Sequence, residues 1–103
     1  MSDRISYELN VTVNGRDFNR VVIDQHYKNK HADTINDQLI LRLVNRINGR
    51  TLDLEDQNGD FQYFKVEPLI FYNQPYRLII TICIVEDFLG VVNCFRINRR
   101  DYE

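Results

Sequence analysis

Residues Tyr76–Glu86 read Tyr-Arg-Leu-Ile-Ile-Thr-Ile-Cys-Ile-Val-Glu. The stretch from Leu78 to Val85 is an almost unbroken β-branched run, as expected of a central strand in a sheet. Asp87-Phe88-Leu89-Gly90 reads as a turn, and Val91–Asn98 as the strand that returns. A four-residue turn pairs Glu86 with Val91 and sets Val85 opposite Val92, Cys83 opposite Cys94, Thr81 opposite Arg96, Ile79 opposite Asn98 and Arg77 opposite Arg100. Opposed residues share a face and alternate residues take the other. One face then carries Leu78, Ile80, Ile82, Ile84, Val91, Phe95 and Ile97, with Asn93 and Arg99 interrupting, and suits a helix. The other gathers Arg77, Thr81, Arg96, Asn98 and Arg100. Arginines opposed in this way cost stability unless something anionic lies between them. That admits a phosphate-binding surface, or neutralisation by acidic residues of other strands. A slip of one residue would scramble the sorting. The same register brings Cys83 across from Cys94, where two buried thiols are expected rather than a strained cross-strand disulfide.

Upstream, Arg4–Val13 alternates polar and apolar residues as a half-buried strand does. Asn14-Gly15 is a hairpin signal, because both residues accept positive φ, and Arg16–Ile23 returns. Asp33 or Thr34 opens a helix, with Asp37 completing an approximate capping box. Ile35, Leu39, Ile40, Leu43, Val44 and Ile47 form one apolar stripe, and Asn48-Gly49 ends it. Thr51–Asp56 and Phe61–Val66 flank a second Asn-Gly turn at residues 57–60. Pro68 and Pro75 bracket a short edge segment, Leu69–Tyr72. The sequence therefore predicts one domain over residues 1–103. Its fold class is α+β: a mostly antiparallel twisted sheet of about five to six strands with one main helix, about 34–48, packed on one face.

Composition bounds the class of function without naming it. With 103 residues, 44% apolar and 27% charged, the chain has the composition of a globular domain and not of a disordered one. No apolar run is long enough to span a membrane. Two cysteines, and an N-terminus without a signal-like apolar stretch, point to a cytoplasmic setting. The formal net charge of −2 argues against a protein that coats nucleic acid. Of the 13 basic residues three are lysines (Lys28, Lys30 and Lys65), so arginine dominates. Arginine is the side chain suited to specific anion contacts, although composition bias would give the same count.

Both histidines fall in the polar segment Asp24-Gln-His26-Tyr-Lys28-Asn-Lys30-His31. Their five-residue separation and the lack of a nearby cysteine argue against zinc, so no metal is expected. As an acid–base pair they are more credible: imidazole titrates near neutral pH, the lysines attract phosphate, and Asp24 can orient His26. Two surface histidines leading into a helix would look the same. The acidic hairpin tip at Asp53, Glu55, Asp56 and Asp60 lacks calcium-loop spacing. There is no phosphate-binding glycine loop or nucleophile elbow, and no cofactor is expected.

His26-Tyr-Lys-Asn-Lys-His31, the capped helix Thr34–Asn48, Tyr76-Arg-Leu-Ile and Val91-Val-Asn-Cys-Phe-Arg96 together resemble small ribonuclease toxins of the barnase–EndoU–colicin–RelE-like group. The resemblance covers about residues 24–98. It implies a metal-independent ribonuclease whose open sheet face holds the site, with His26, Lys30, His31 and Arg96 catalytic. One histidine would take the ribose 2′-OH proton and the other protonate the leaving 5′-oxygen. Lys30 and Arg96, with Arg77, would stabilise the phosphoryl oxygens. Lys28, Arg77, Thr81, Asn98 and Arg100 would bind RNA, and a cognate antitoxin would cover the arginine face. A competing reading is a non-catalytic interaction module, antitoxin- or immunity-like, that binds a partner through a sheet edge or the arginine face. A small-molecule or peptide binder is a third, for which no pocket residues are legible.

Overall fold

The computed structural model describes residues 3–98. Strands β1 (Arg4–Val13), β2 (Arg16–Asp24), β3 (Asp56–Asn58), β4 (Phe61–Phe71), β5 (Gln74–Cys83) and β6 (Leu89–Arg96) form one sheet in the order β1-β2-β6-β5-β4-β3. A 3₁₀ turn (Gln25–Tyr27) and two short helices, α1 (Lys28–His31) and α2 (Asp37–Arg46), lie between β2 and β3. The fold is α+β with a mixed sheet, since β2 pairs with β6 in parallel and every other pair is antiparallel.

Local chemistry accounts for most of these elements. Asn14 and Gly15 take φ of 55° and 75°, the two positive values a two-residue hairpin turn requires. Tyr72 and Asn73 do the same between β4 and β5, at 49° and 64°. The helix expected over 34–48 is divided. Asn36, not Asp33 or Thr34, accepts the Leu39 N–H at 2.8 Å and caps α2. Residues upstream of it spend their backbone on α1, and the N–H groups of Thr34 and Ile35 both donate to the His31 carbonyl. At the other end Gly49 turns left-handed at φ 82°, as expected of a terminator.

Ile40, Leu43 and Val44 of α2 are buried in one cluster with Val21 and Ile23 of β2, Phe64 and Val66 of β4, Leu78 and Ile80 of β5, and Leu89, Val91 and Cys94 of β6. This defines the covered face of the sheet. Three sequence expectations are corrected here. Residues 51–55 are irregular and only Asp56–Asn58 pairs with β4. Leu69–Tyr72 is not a separate edge piece, because β4 runs through Pro68 to Phe71 with a register shift between Val66 and Leu69. The third correction is the register of β5 with β6.

Tyr76 lies opposite Arg96, Arg77 opposite Phe95, Leu78 opposite Cys94 and Ile79 opposite Asn93; after a bulge, Ile80 lies opposite Val91, Thr81 opposite Gly90 and Ile82 opposite Leu89. Two physical causes separate this from the expected pairing. Leu89 and Gly90 belong to the strand, so the turn begins at Ile84, and the bulge inserts Val92. Cys94 thus faces Leu78 while Cys83 faces Phe61 of β4, and both are buried free thiols. Burial pushes the Cys94 thiol up to about 12. Phe95 and Asn93 move to the open face, and Ile84 is exposed in the turn.

Candidate functional site

The histidine segment is folded by its own side chains. Asp24 ends β2, and its carboxylate accepts the His26 N–H at 2.9 Å, closing the 3₁₀ turn. Tyr27 turns inward and is buried, while His26, Lys28 and Lys30 stay exposed. Asn29 lies 3.3 Å from Nδ1 of His26. β2 runs beside β6 only as far as Val91, so the 3₁₀ turn flanks β6 beyond it, with α1 following from the turn. There His31 stacks on Phe95, with ring centroids 5.2 Å apart and planes at 23°.

Phe95 also receives the guanidinium of Arg77, 5.3 Å from the ring centroid. Nε of Arg77 donates to the Glu67 carboxylate, and Glu67 is further shared with Lys65 at 3.8 Å. His31, Phe95, Arg77 and Glu67 therefore stand in a row on the open face. Arg96 does not join them: it lies opposite Tyr76 on the covered-face side, so Arg77 and Arg96 are on opposite sides of the sheet. The expected convergence of arginines fails for that reason, and the charge of Arg77 is met by Glu67. Thr81 faces Gly90, donates its hydroxyl to the Gln62 carbonyl at 3.0 Å and lines an open-face cleft of about 260 Å³ with Val22, Phe61, Tyr63 and Phe88. Asn98 is exposed beyond β6, and Arg100 lies outside the described residues. Among the described residues no three His, Cys, Asp or Glu side chains come together to hold a metal ion. No helix among them is long and apolar enough to cross a membrane.

A network the sequence did not flag ties the helix start to the sheet. The Asp37 carboxylate accepts the hydroxyls of Tyr7 and Tyr27, each at 2.6 Å, and the Gln25 amide at 3.1 Å. Burial alone would raise the Asp37 pKa; the hydrogen bonds from Tyr27, Tyr7 and Gln25, with the charge of Lys28, outweigh it and hold the carboxyl below its ordinary value. Both phenols are pushed up, Tyr7 first by its bond to Asp37 and Tyr27 first by burial.

The second missed feature is the outer edge of β1. The Gln25 N–H donates to the Asp3 carbonyl at 2.8 Å, which makes Arg4 and Asp24 a non-hydrogen-bonded pair of the antiparallel ladder. The N–H and C=O groups of Arg4, Ser6 and Glu8 must then face away from β2. Further along, the outward groups of Thr12 are occupied: its N–H donates to Asn48 Oδ1 at 2.8 Å and its carbonyl accepts the Gly49 N–H at 2.7 Å. Between the two lies a bulge at Leu9–Asn10. Among the described residues no strand lies along Arg4–Glu8. The alternation of Ser, Glu and Arg with Ile and Tyr carried this signal, but sequence cannot say which strand ends a sheet.

No family model, curated protein or solved structure matches the chain.

Proposed function

We propose that this chain is a protein-interaction module that takes a partner's β-strand onto the outer edge of β1. One observation carries the reading: the backbone groups of Arg4, Ser6 and Glu8 point outward from a regular strand that ends the sheet, bounded by a bulge on one side. Backbone edges of this kind bind extended chain through main-chain hydrogen bonds, with side chains setting specificity. Natural edge strands are usually blunted by charged side chains, proline, a bulge or a covering loop. The second half of β1 is covered in that way by residues 48–50, and β4 carries Pro68; Arg4–Glu8 holds no proline and, among the described residues, no covering loop, and its two charges, Arg4 and Glu8, are of opposite sign.

The test exploits the direction of one amide. Ser6→Pro deletes an N–H that faces outward, so the ladder with β2 keeps its bonds and the fold is retained. A photoreactive side chain at position 4 is expected to form a protein adduct in the producing cell. Adding Ser6→Pro is expected to abolish that adduct while circular dichroism and melting temperature hold. No adduct, or an adduct that survives Ser6→Pro, overturns the proposal.

A nucleolytic reading keeps one observation in its favour, the meeting of His31 and Arg77 on Phe95. It is the weaker of the two, because Arg77 is engaged by Glu67 and Arg96 lies on the other side of the sheet.

A further inference from the structure

The strand that fits this edge is β1 itself. We infer that two copies of the chain pair their β1 strands antiparallel about a two-fold axis at Ser6, joining two six-stranded sheets into one. The inference rests on the edge reading above and names its occupant.

Three features of Arg4–Glu8 converge on this arrangement. The first is backbone parity. Centring on Ser6 sets Ser6 against Ser6 of the second copy and Arg4 against Glu8 of the second copy. These residues have outward N–H and C=O groups, so each becomes a hydrogen-bonded pair that exchanges both bonds. The second is charge. Among the described residues neither Arg4 nor Glu8 has an ion-pair partner. In the symmetric pairing each arginine meets a glutamate directly across the new ladder, twice. The neighbours on β2 extend the pattern, since Asp24 lies opposite Arg4 and Arg20 opposite Glu8. Read across four strands, the row becomes Asp24, Arg4, then Glu8 and Arg20 of the second copy, with signs alternating throughout. A parallel, in-register pairing would instead set Arg4 against Arg4, which is destabilising. The third is apolar cover. Ile5, 40% exposed at the edge, comes opposite Tyr7 of the second copy on the helix side of the sheet, a favourable β-branched and aromatic cross-strand pair. The bulge at Leu9–Asn10 bends the strand away just past Glu8 and limits the pairing to this window. An isologous contact of this kind closes on itself and uses up the edge.

Charge reversal makes the test specific to this register. In sedimentation equilibrium at low salt the wild type is expected to dimerise. Arg4→Glu and Glu8→Arg are each expected to weaken self-association at least tenfold, because each places like charges opposite one another in both symmetry-related pairs. Mixed in equal amounts, these two variants are expected to form a heterodimer, since every facing pair is again of opposite sign. Ser6→Pro is expected to sediment as a folded monomer. A wild type that stays monomeric, single variants that associate as well as wild type, or a mixture that fails to recover overturns the inference. The edge reading fails separately. A monomeric wild type with a Ser6→Pro-sensitive adduct to a different protein, or a dimer that Ser6→Pro leaves intact, sinks self-pairing alone, whereas an adduct from position 4 that survives Ser6→Pro sinks both.

Discussion

Asp37 is the acceptor on which three elements agree. Its carboxylate takes hydrogen bonds from Tyr7 on β1 and from Gln25 and Tyr27 in the 3₁₀ turn, while its backbone begins α2. A charged acceptor contributes more than a neutral one, about 1.5–3 kcal/mol net per hydrogen bond, and bonds that share one carboxylate do not add in full. Asp37→Asn should therefore lower unfolding free energy by about 2 kcal/mol at pH 7, read from urea denaturation. Because the folded carboxyl titrates below its ordinary value, that stabilisation is present at neutral pH and fades as pH falls through the folded value. The gap between wild type and Asp37→Asn should accordingly close toward acid; a pH-independent gap would assign the effect to packing. The opposite sign applies to Tyr27, whose raised pKa means that its contribution is lost as pH climbs past the ordinary tyrosine range. Arginine usage also resolves at this scale. Arg16, Arg20, Arg46 and Arg77 each lie 5.2–5.5 Å from an aromatic ring centroid, on Phe18, Phe88, Phe71 and Phe95. Planar guanidinium groups favour such stacking, so part of the arginine excess serves ring contacts, alone or, as at Arg77, together with a carboxylate.

Among the elements, β6 shows what could be read in advance and what could not. The β-branched run on β5, the Asn14-Gly15 turn and the apolar stripe of α2 each have a local physical signature; the turn is found where the residues put it, while the strand stops at Cys83 and the helix spans only Asp37–Arg46. A bulge has no such signature. Val91, Val92 and Asn93 alternate no differently from a regular strand, yet the one residue inserted there moves Phe95 to the open face and takes Arg96 off it. That shift dissolved the expected arginine cluster and created the contact of Phe95 with His31 and Arg77. Gly90 illustrates the other limit: it reads as a turn glycine, but it lies in the strand because Thr81 leaves no room opposite it. A Cβ at Gly90 would stand 2.7 Å from Cγ2 of Thr81, whose hydroxyl is held by the Gln62 carbonyl. Gly90→Ala should therefore lose about 1–3 kcal/mol through overpacking. Thr81→Ser removes that methyl and keeps the hydroxyl, so the double variant should recover most of the loss in a double-mutant cycle; strict additivity would place the cost elsewhere.

At the scale of the whole molecule, the two sheet faces and the β1 edge lead to different chemistry. The open face stacks His31 on a ring and pairs Arg77 with a carboxylate, so the guanidinium nearest His31 is already engaged. RNA incubated without added metal should accordingly be degraded no faster by wild type than by His31→Ala. A His31-dependent product ending in a 2′,3′-cyclic phosphate would reinstate the nuclease reading. The edge, in contrast, leaves backbone groups outward. The parallel pairing of Val21–Ile23 with Leu89–Val91 has a consequence for how the chain reaches this state. The strands on either side of it, β1 with β2 and β3 through β6, close by turns between sequence neighbours. The junction alone joins residues from opposite ends of the chain, so its loop-closure entropy is the largest in the sheet. From topology the two hairpin-built halves are expected to form first and this seam last. Until that seam forms, β2 and β6 are themselves unpaired edges, and the nascent chain has more strand to cover than the native one.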